Sequence, residues 1–148
     1  MLRRMFPPFW LLLTILLMTA LHFAAPVCQI IPMPINLSGS AMIVIGLLLF
    51  GSAVRMIVLA RTTIKPFQES SALITTGPFR WSRNPIYLGM VLLLLGIAVL
   101  FGSLTPFPVV ALFAFLIDRV FIKGEEQMLH ATFTGEYADY CRRVRRWI

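Results

Sequence analysis

The stretch TTGPFRWSRNPIYLGM, residues 75–90, changes character at one dipeptide. Before Asn84-Pro85 it is polar and basic; after it the chain stays apolar to Phe101. Asn is a favoured helix cap and Pro a favoured first helical residue, so a helix is expected to begin at Pro85. As a membrane helix it leaves Arg80 and Arg83 just outside the bilayer and Trp81 and Tyr87 in the aromatic belt. The same residues admit a second reading. A helix N-terminus offers free N–H groups and a positive dipole end, and two arginines beside it strengthen a preference for carboxylate or phosphate. Gly89 lets another backbone or a ligand come close.

The rest of the chain supports a membrane setting. Of 148 residues, 59% are hydrophobic and 13% charged, about half the globular norm. The mean hydropathy is +0.86. Such a chain is too apolar for a soluble domain and too short for a bundle plus a separate soluble domain. Four spans are expected, at about 9–27, 37–60, 85–101 and 104–122, with a cytoplasmic helical tail at 125–148. The expected fold is all-α: a multispanning transmembrane bundle of one domain, residues 1–148, with a C-terminal interfacial amphipathic helix. The tight third-to-fourth connection predicts an antiparallel hairpin.

The formal net charge is +7, and its distribution gives the orientation. The connections QIIPMPIN and GSLTP carry no charge, whereas the N-terminus, the second-to-third connection and the tail hold nearly every Lys and Arg. This positive-inside pattern places both termini in the cytoplasm, with the plasma (inner) membrane as the expected location. The basic excess is an orientation signal that also suits anionic headgroups, and nucleic acid is not an expected partner. The outer face reads as nearly featureless, so any chemistry belongs at the cytoplasmic face.

A second candidate block is DRVFIKGEEQMLHATF, residues 118–133. Asp118 and Glu125 are seven apart and share a helix face if the helix continues through Gly124; Arg119 and Glu126 share the adjacent face. An Asp inside a span is costly unless paired, which predicts an ion pair of Asp118 with Arg55 or Arg119. Glu125 and Glu126 are either solvated partners of the basic tail or ligands for a cation. In the third block, GEYADYCRRVRRWI, Tyr137, Tyr140, Cys141 and Val144 recur at helical spacing opposite most of the arginines, as in a basic helix at a membrane surface or a lid over a site there. His22 and His130 lack partner patterns and read as structural. Cys28 and Cys141 fall at opposite ends of the topology. No metal-ligand spacing is present, so no metal is expected.

Together, LITTGPFRWSRNPIYLG and EEQMLHATFTGEYADYCRRVRRWI resemble the isoprenylcysteine carboxyl methyltransferase and phospholipid methyltransferase group of small integral membrane enzymes, over about residues 62–148. The resemblance implies S-adenosylmethionine as cofactor. It places Arg83, Asn84, Pro85, Tyr87, Leu88 and Gly89 in the cofactor pocket with Glu125 and Glu126, and makes Arg83 and Glu126 the expected catalytic pair. Tyr137, Tyr140 and Arg143, with the basic end through Arg146, are the expected substrate-side or lid residues. Two positions depart from the group's pattern. Asn84 stands where many relatives have His, which removes an imidazole base and leaves a cap and binding contact. Thr134 stands where a Gly often follows the Phe. The implied acceptor is a lipid or other hydrophobic molecule, isoprenylcysteine carboxylate and phospholipid amine being the precedents; protein partners are not indicated. The alternative is a non-catalytic membrane scaffold that keeps the family fold. A transporter is disfavoured because the outer halves of the spans carry almost no polar residues.

Overall fold

The computed structural model describes residues 7–25, 27–60 and 72–148. Arg3, Arg4, Pro26 and residues 61–71 of the second-to-third connection lie outside the described residues. Those described are helical, with one isolated β-bridge between Gln29 and Ser103. The long helices are α1 (Pro7–Ala24), α2 (Ser38–Leu59), α3 (Pro85–Phe101) and α4 (Pro106–Ile117). A π-helical turn at Asp118–Ile122 joins α4 to α5 (Lys123–Thr132), and α6 (Thr134–Arg143) follows. The four expected apolar helices are thus present near their predicted bounds.

Helices α1 and α2 are long and apolar enough to cross a membrane, and α3 is a shorter apolar helix. Leu12, Leu16, Phe23, Leu48 and Leu59 stand exposed on α1 and α2. An apolar face of this extent is stable against lipid and not against water. The core lies where α3 and α4 meet α1: Met18, Tyr87, Met90, Leu94, Val110, Phe113 and Ile117 are buried together.

Helix α2 packs on α3 through paired glycines. A Cβ on Gly46 would lie 2.7 Å from the Gly89 carbonyl oxygen, and one on Gly39 would lie 2.4 Å from that of Gly96. Each helix spaces its two glycines seven residues apart, so the two backbones touch twice, two turns apart. The close approach anticipated at Gly89 is therefore made by the α2 backbone.

The α3–α4 hairpin forms as expected. Gly102 closes α3 in the left-handed conformation, φ 70°, a usual glycine role. The uncharged end is less featureless than its composition suggests. Gly102 O accepts from Ile30 N and Ile31 N at 2.8 and 3.0 Å, and Leu104 N donates to Cys28 O. His22 Nδ1 lies 2.7 Å from Ser103 Oγ, and its ring stacks on Phe101. His22 is structural, as its sequence context indicates.

The helix does not break at Gly124; it runs from Pro106 to Thr132 with the π-turn inside it. That turn holds one residue more than an α-turn, so the register beyond it shifts by one. The expected Asp118–Glu125 face is thereby lost, and Asp118 aligns with Glu126 instead. The tail is corrected as well: the helix stops at Arg143, and Val144 is extended.

Candidate functional site

Two segments far apart in sequence meet at the charged end of the bundle. Pro85 starts α3, with Asn84 at the N-cap position. The Asn84 side chain makes no cap bond; Ser82 Oγ instead accepts from Asn84 N at 3.1 Å. Asn84 Nδ2 donates to Arg146 O at 3.2 Å, Ser82 Oγ donates to the same carbonyl at 3.2 Å, and Arg83 N donates to Arg145 O at 3.0 Å. The end of the chain is thus strapped across the start of α3, and Trp147 packs against the core. Asn84 is a clamp for this strap, which corrects its reading as a cap.

Beneath the strap lies an ion-pair cluster. Glu126 Oε1 is 3.2 Å from Arg83 Nη2 and accepts from Arg146 Nε at 3.1 Å, while Glu126 Oε2 is 2.5 Å from Arg146 Nη2. Arg146 Nη1 also reaches Asp118 Oδ1 at 3.3 Å. Asp118 is therefore paired with Arg146, not with Arg55 or Arg119; the Arg119 guanidinium lies over the Phe115 ring. The π-turn explains the difference, because it brings both carboxylates to the one guanidinium. The Glu126 contact and the Asp118 charge hold Arg146 still more firmly protonated. Arg83 Nη1 donates to Cys141 Sγ, and its buried Nε has no partner among the described residues.

Glu125 stands apart from this cluster. Its Oε1 accepts from Tyr87 OH at 2.7 Å. Burial is the main cause that pushes its carboxyl up to about 7; the Tyr87 bond opposes the rise and the charge of Glu126 adds to it. Two adjacent carboxylates thus sit in opposite environments, one held by two arginines and one held by a phenol.

Helix α6 covers the cluster with Tyr137 and Tyr140, both buried. Tyr140 OH donates to Phe79 O at 2.6 Å, and burial pushes its phenol up to about 12. The apolar face of α6 is thus spent on the protein itself. Arg143 is exposed, with a long Nε contact to Asp139 O. Within the basic end, Arg146 and not Arg143 joins the ion-pair cluster. Leu88 is half-buried on α3. Sequence reasoning missed Ser82 and the carbonyls of Arg145 and Arg146, since backbone acceptors leave no trace in residue type.

A groove of about 250 Å³ runs between α1 and α4, lined by Trp10, Thr14, Leu17, Phe113, Val120 and Phe121 among others. The ring of its lining residue Phe121 is 6.4 Å from that of Tyr87, the partner of Glu125. The buried Trp10 Nε1 has no partner among the described residues.

The chain is 31% identical over 77 residues to the nickel-cobalt-cadmium resistance protein NccN of Alcaligenes xylosoxydans xylosoxydans, covering 52% of this chain and 36% of that protein. It is 33% identical over 77 residues to the cobalt-zinc-cadmium resistance protein CzcN of Cupriavidus metallidurans, covering 52% and 35%. It is 35% identical over 85 residues to the protein-S-isoprenylcysteine O-methyltransferase of Saccharomyces cerevisiae, covering 55% and 34%. The match spans about a third of the length of these curated relatives. The sequence model described as phospholipid methyltransferase matches residues 35–136. With its apolar helices and this match over more than half its length, the chain is a membrane protein that belongs to the phospholipid methyltransferase family.

Proposed function

We propose that this protein is an S-adenosylmethionine-dependent methyltransferase that methylates a lipid or other hydrophobic acceptor at the cytoplasmic face. In this reading α1 to α4 all cross the membrane and both termini are cytoplasmic, which keeps the charged cluster at the basic end. The observation that carries the proposal is the meeting of the two sequence blocks, Arg83 with Glu126 at 3.2 Å and Tyr87 with Glu125 at 2.7 Å.

The residues present fit the cofactor. Its amino-acid end is a zwitterion, and the cluster is built of opposite charges with an open donor at Arg83 Nε. A zwitterion can exchange for a protein ion pair without leaving a buried charge uncompensated. Arg83 and the N-terminus of α3 suit the carboxylate, and Glu126 suits the amino group. When bound, S-adenosylmethionine supplies an electrophilic methyl group on a sulfonium. The work left to the chain is positioning and exclusion of water. Tyr137, Tyr140 and the strap close the site from solvent, and the α1–α4 groove suits a hydrocarbon chain entering from the bilayer.

One observation favours the scaffold reading: the Glu126 carboxylate is satisfied by the chain's own Arg83 and Arg146. The variants Glu126→Ala and Arg83→Ala separate the two. An enzyme loses its biological role together with cofactor binding. A scaffold keeps that role after binding is gone.

A further inference from the structure

The groove between α1 and α4 stands apart from the charged cluster: none of Arg83, Tyr87, Glu125 and Glu126 lines it. Its walls are apolar side chains except at Trp10 and Thr14. Thr14 Oγ1 donates to Trp10 O at 2.8 Å, so its proton is engaged within α1. Trp10 Nε1 is buried and has no partner among the described residues. The groove therefore carries one unpaired donor in an apolar trough. A buried donor without an acceptor is unfavourable, so an occupant of this groove should bring an acceptor with it. A water would also bring two hydrogens of its own into apolar walls. A carbonyl oxygen on a hydrocarbon chain brings an acceptor and nothing else that needs a partner.

The depth of the indole identifies the class of that chain. Trp10 lies in the first turn of α1, which begins at Pro7. In a membrane helix this is the interfacial level, where an indole N–H meets polar atoms. The groove continues along α1 to Leu17, about 10 Å further, toward the middle of a hydrocarbon layer about 30 Å thick. Leu13, Leu17, Leu112 and Leu116 on its walls are exposed, so it opens sideways to lipid. An acceptor at the interface with hydrocarbon below it is the arrangement of an ester-linked acyl chain. We propose that the groove is a binding site for one acyl chain of an ester-linked glycerolipid, with the ester carbonyl oxygen on Trp10 Nε1. The lipid held there joins α1 to α4 and is not the methyl acceptor, and the site does not depend on the methyltransferase reading.

The test uses the full chain in dodecyl maltoside, a detergent without an ester. It is titrated with dioctanoylphosphatidylcholine or with the dioctyl ether lipid of the same headgroup, which lacks the carbonyls. The nitrogen of both probes is already fully methylated. The chain has three tryptophans, and Trp10→Phe identifies the indole N–H signal of Trp10 in a nitrogen-correlated NMR spectrum. The ester lipid should bind saturably, one per chain, and move that signal downfield as the hydrogen bond forms. The ether lipid should bind the wild type about fivefold more weakly. In Trp10→Phe the two probes should bind equally. Leu112→Trp, on an exposed side chain of the groove, should fill it and abolish binding of both. An indole signal unmoved by the ester lipid, equal affinity of the wild type for the two probes, an ester preference kept in Trp10→Phe, or undiminished binding by Leu112→Trp overturns the assignment. Each of these results leaves the methyltransferase reading standing, because neither variant lies in the charged cluster.

Discussion

Arg146 grips Glu126 with two nitrogens, Nε at 3.1 Å and Nη2 at 2.5 Å, across twenty residues of sequence. The same guanidinium reaches Asp118, so one residue of the strap ties the π-turn, α5 and the start of α3 together. Arg146→Ala should loosen residues 144–148, raise their protease sensitivity and weaken S-adenosylhomocysteine binding about tenfold, equivalent to about 1.4 kcal/mol. Arg143→Ala, on an exposed side chain, should change stability by less than about 0.5 kcal/mol. Limited proteolysis with mass mapping reads the first effect, and a thermal scan reads the second.

Removing the central acid should be costlier. Glu126→Gln leaves Arg83 and Arg146 facing each other, partly buried, without their shared countercharge. Breaking a buried pair from one side commonly costs about 3–5 kcal/mol, with the lower end expected because Arg146 is partly exposed. Glu126→Gln should therefore lower the unfolding temperature clearly at neutral pH. An unfolding temperature equal to the wild type would remove the cluster as a structural element.

The helix contact at Gly46 and Gly89 predicts a sharp size limit. A methyl at either position would enter the opposing backbone, and overpacking of that kind costs about 1–3 kcal/mol. Gly51→Ala is the control on the same helix, because a Cβ there has nothing within 4 Å. Thermal scans of Gly46→Ala, Gly89→Ala and Gly51→Ala should show losses for the first two and no loss for the third.

Much of this was readable in the residues, and the failures have definite causes. The start of α3 at Pro85 followed from Asn-Pro, which marks a helix start by backbone geometry, and its end at Phe101 from the extent of the apolar run. The acidic pair and the Arg83 segment could be brought together only through the family resemblance, since periodicity within a helix cannot say which distant helix it meets. The Asp118–Glu125 face was misread because helical wheels assume 3.6 residues per turn throughout, and the π-turn breaks that rule where the charges sit. Asn84 looked like a cap because its type and position are those of a cap. Its side chain turned to Arg146 O when Ser82 took the local role.

The pH dependence of stability has a definite sign. Glu125 titrates near 7 in the folded protein against an ordinary value of 4.5, mainly through burial. Between those values the folded state keeps a proton that the unfolded state has lost, so stability falls as pH rises from about 4.5 and levels off above about 7. The difference is on the order of 3 kcal/mol. Glu125→Gln should remove this slope and stabilise the protein at pH above 7, as read by denaturation across the pH range. A wild-type slope of opposite sign would contradict the burial of this carboxyl.

The central claim is that the Arg83–Glu126 cluster holds S-adenosylmethionine. Calorimetric titration of the detergent-purified chain with S-adenosylhomocysteine tests it most directly. The account predicts saturable binding at one site per chain, lost in both Arg83→Ala and Glu126→Ala. No saturable binding by the wild type, or full binding by both variants, would contradict it.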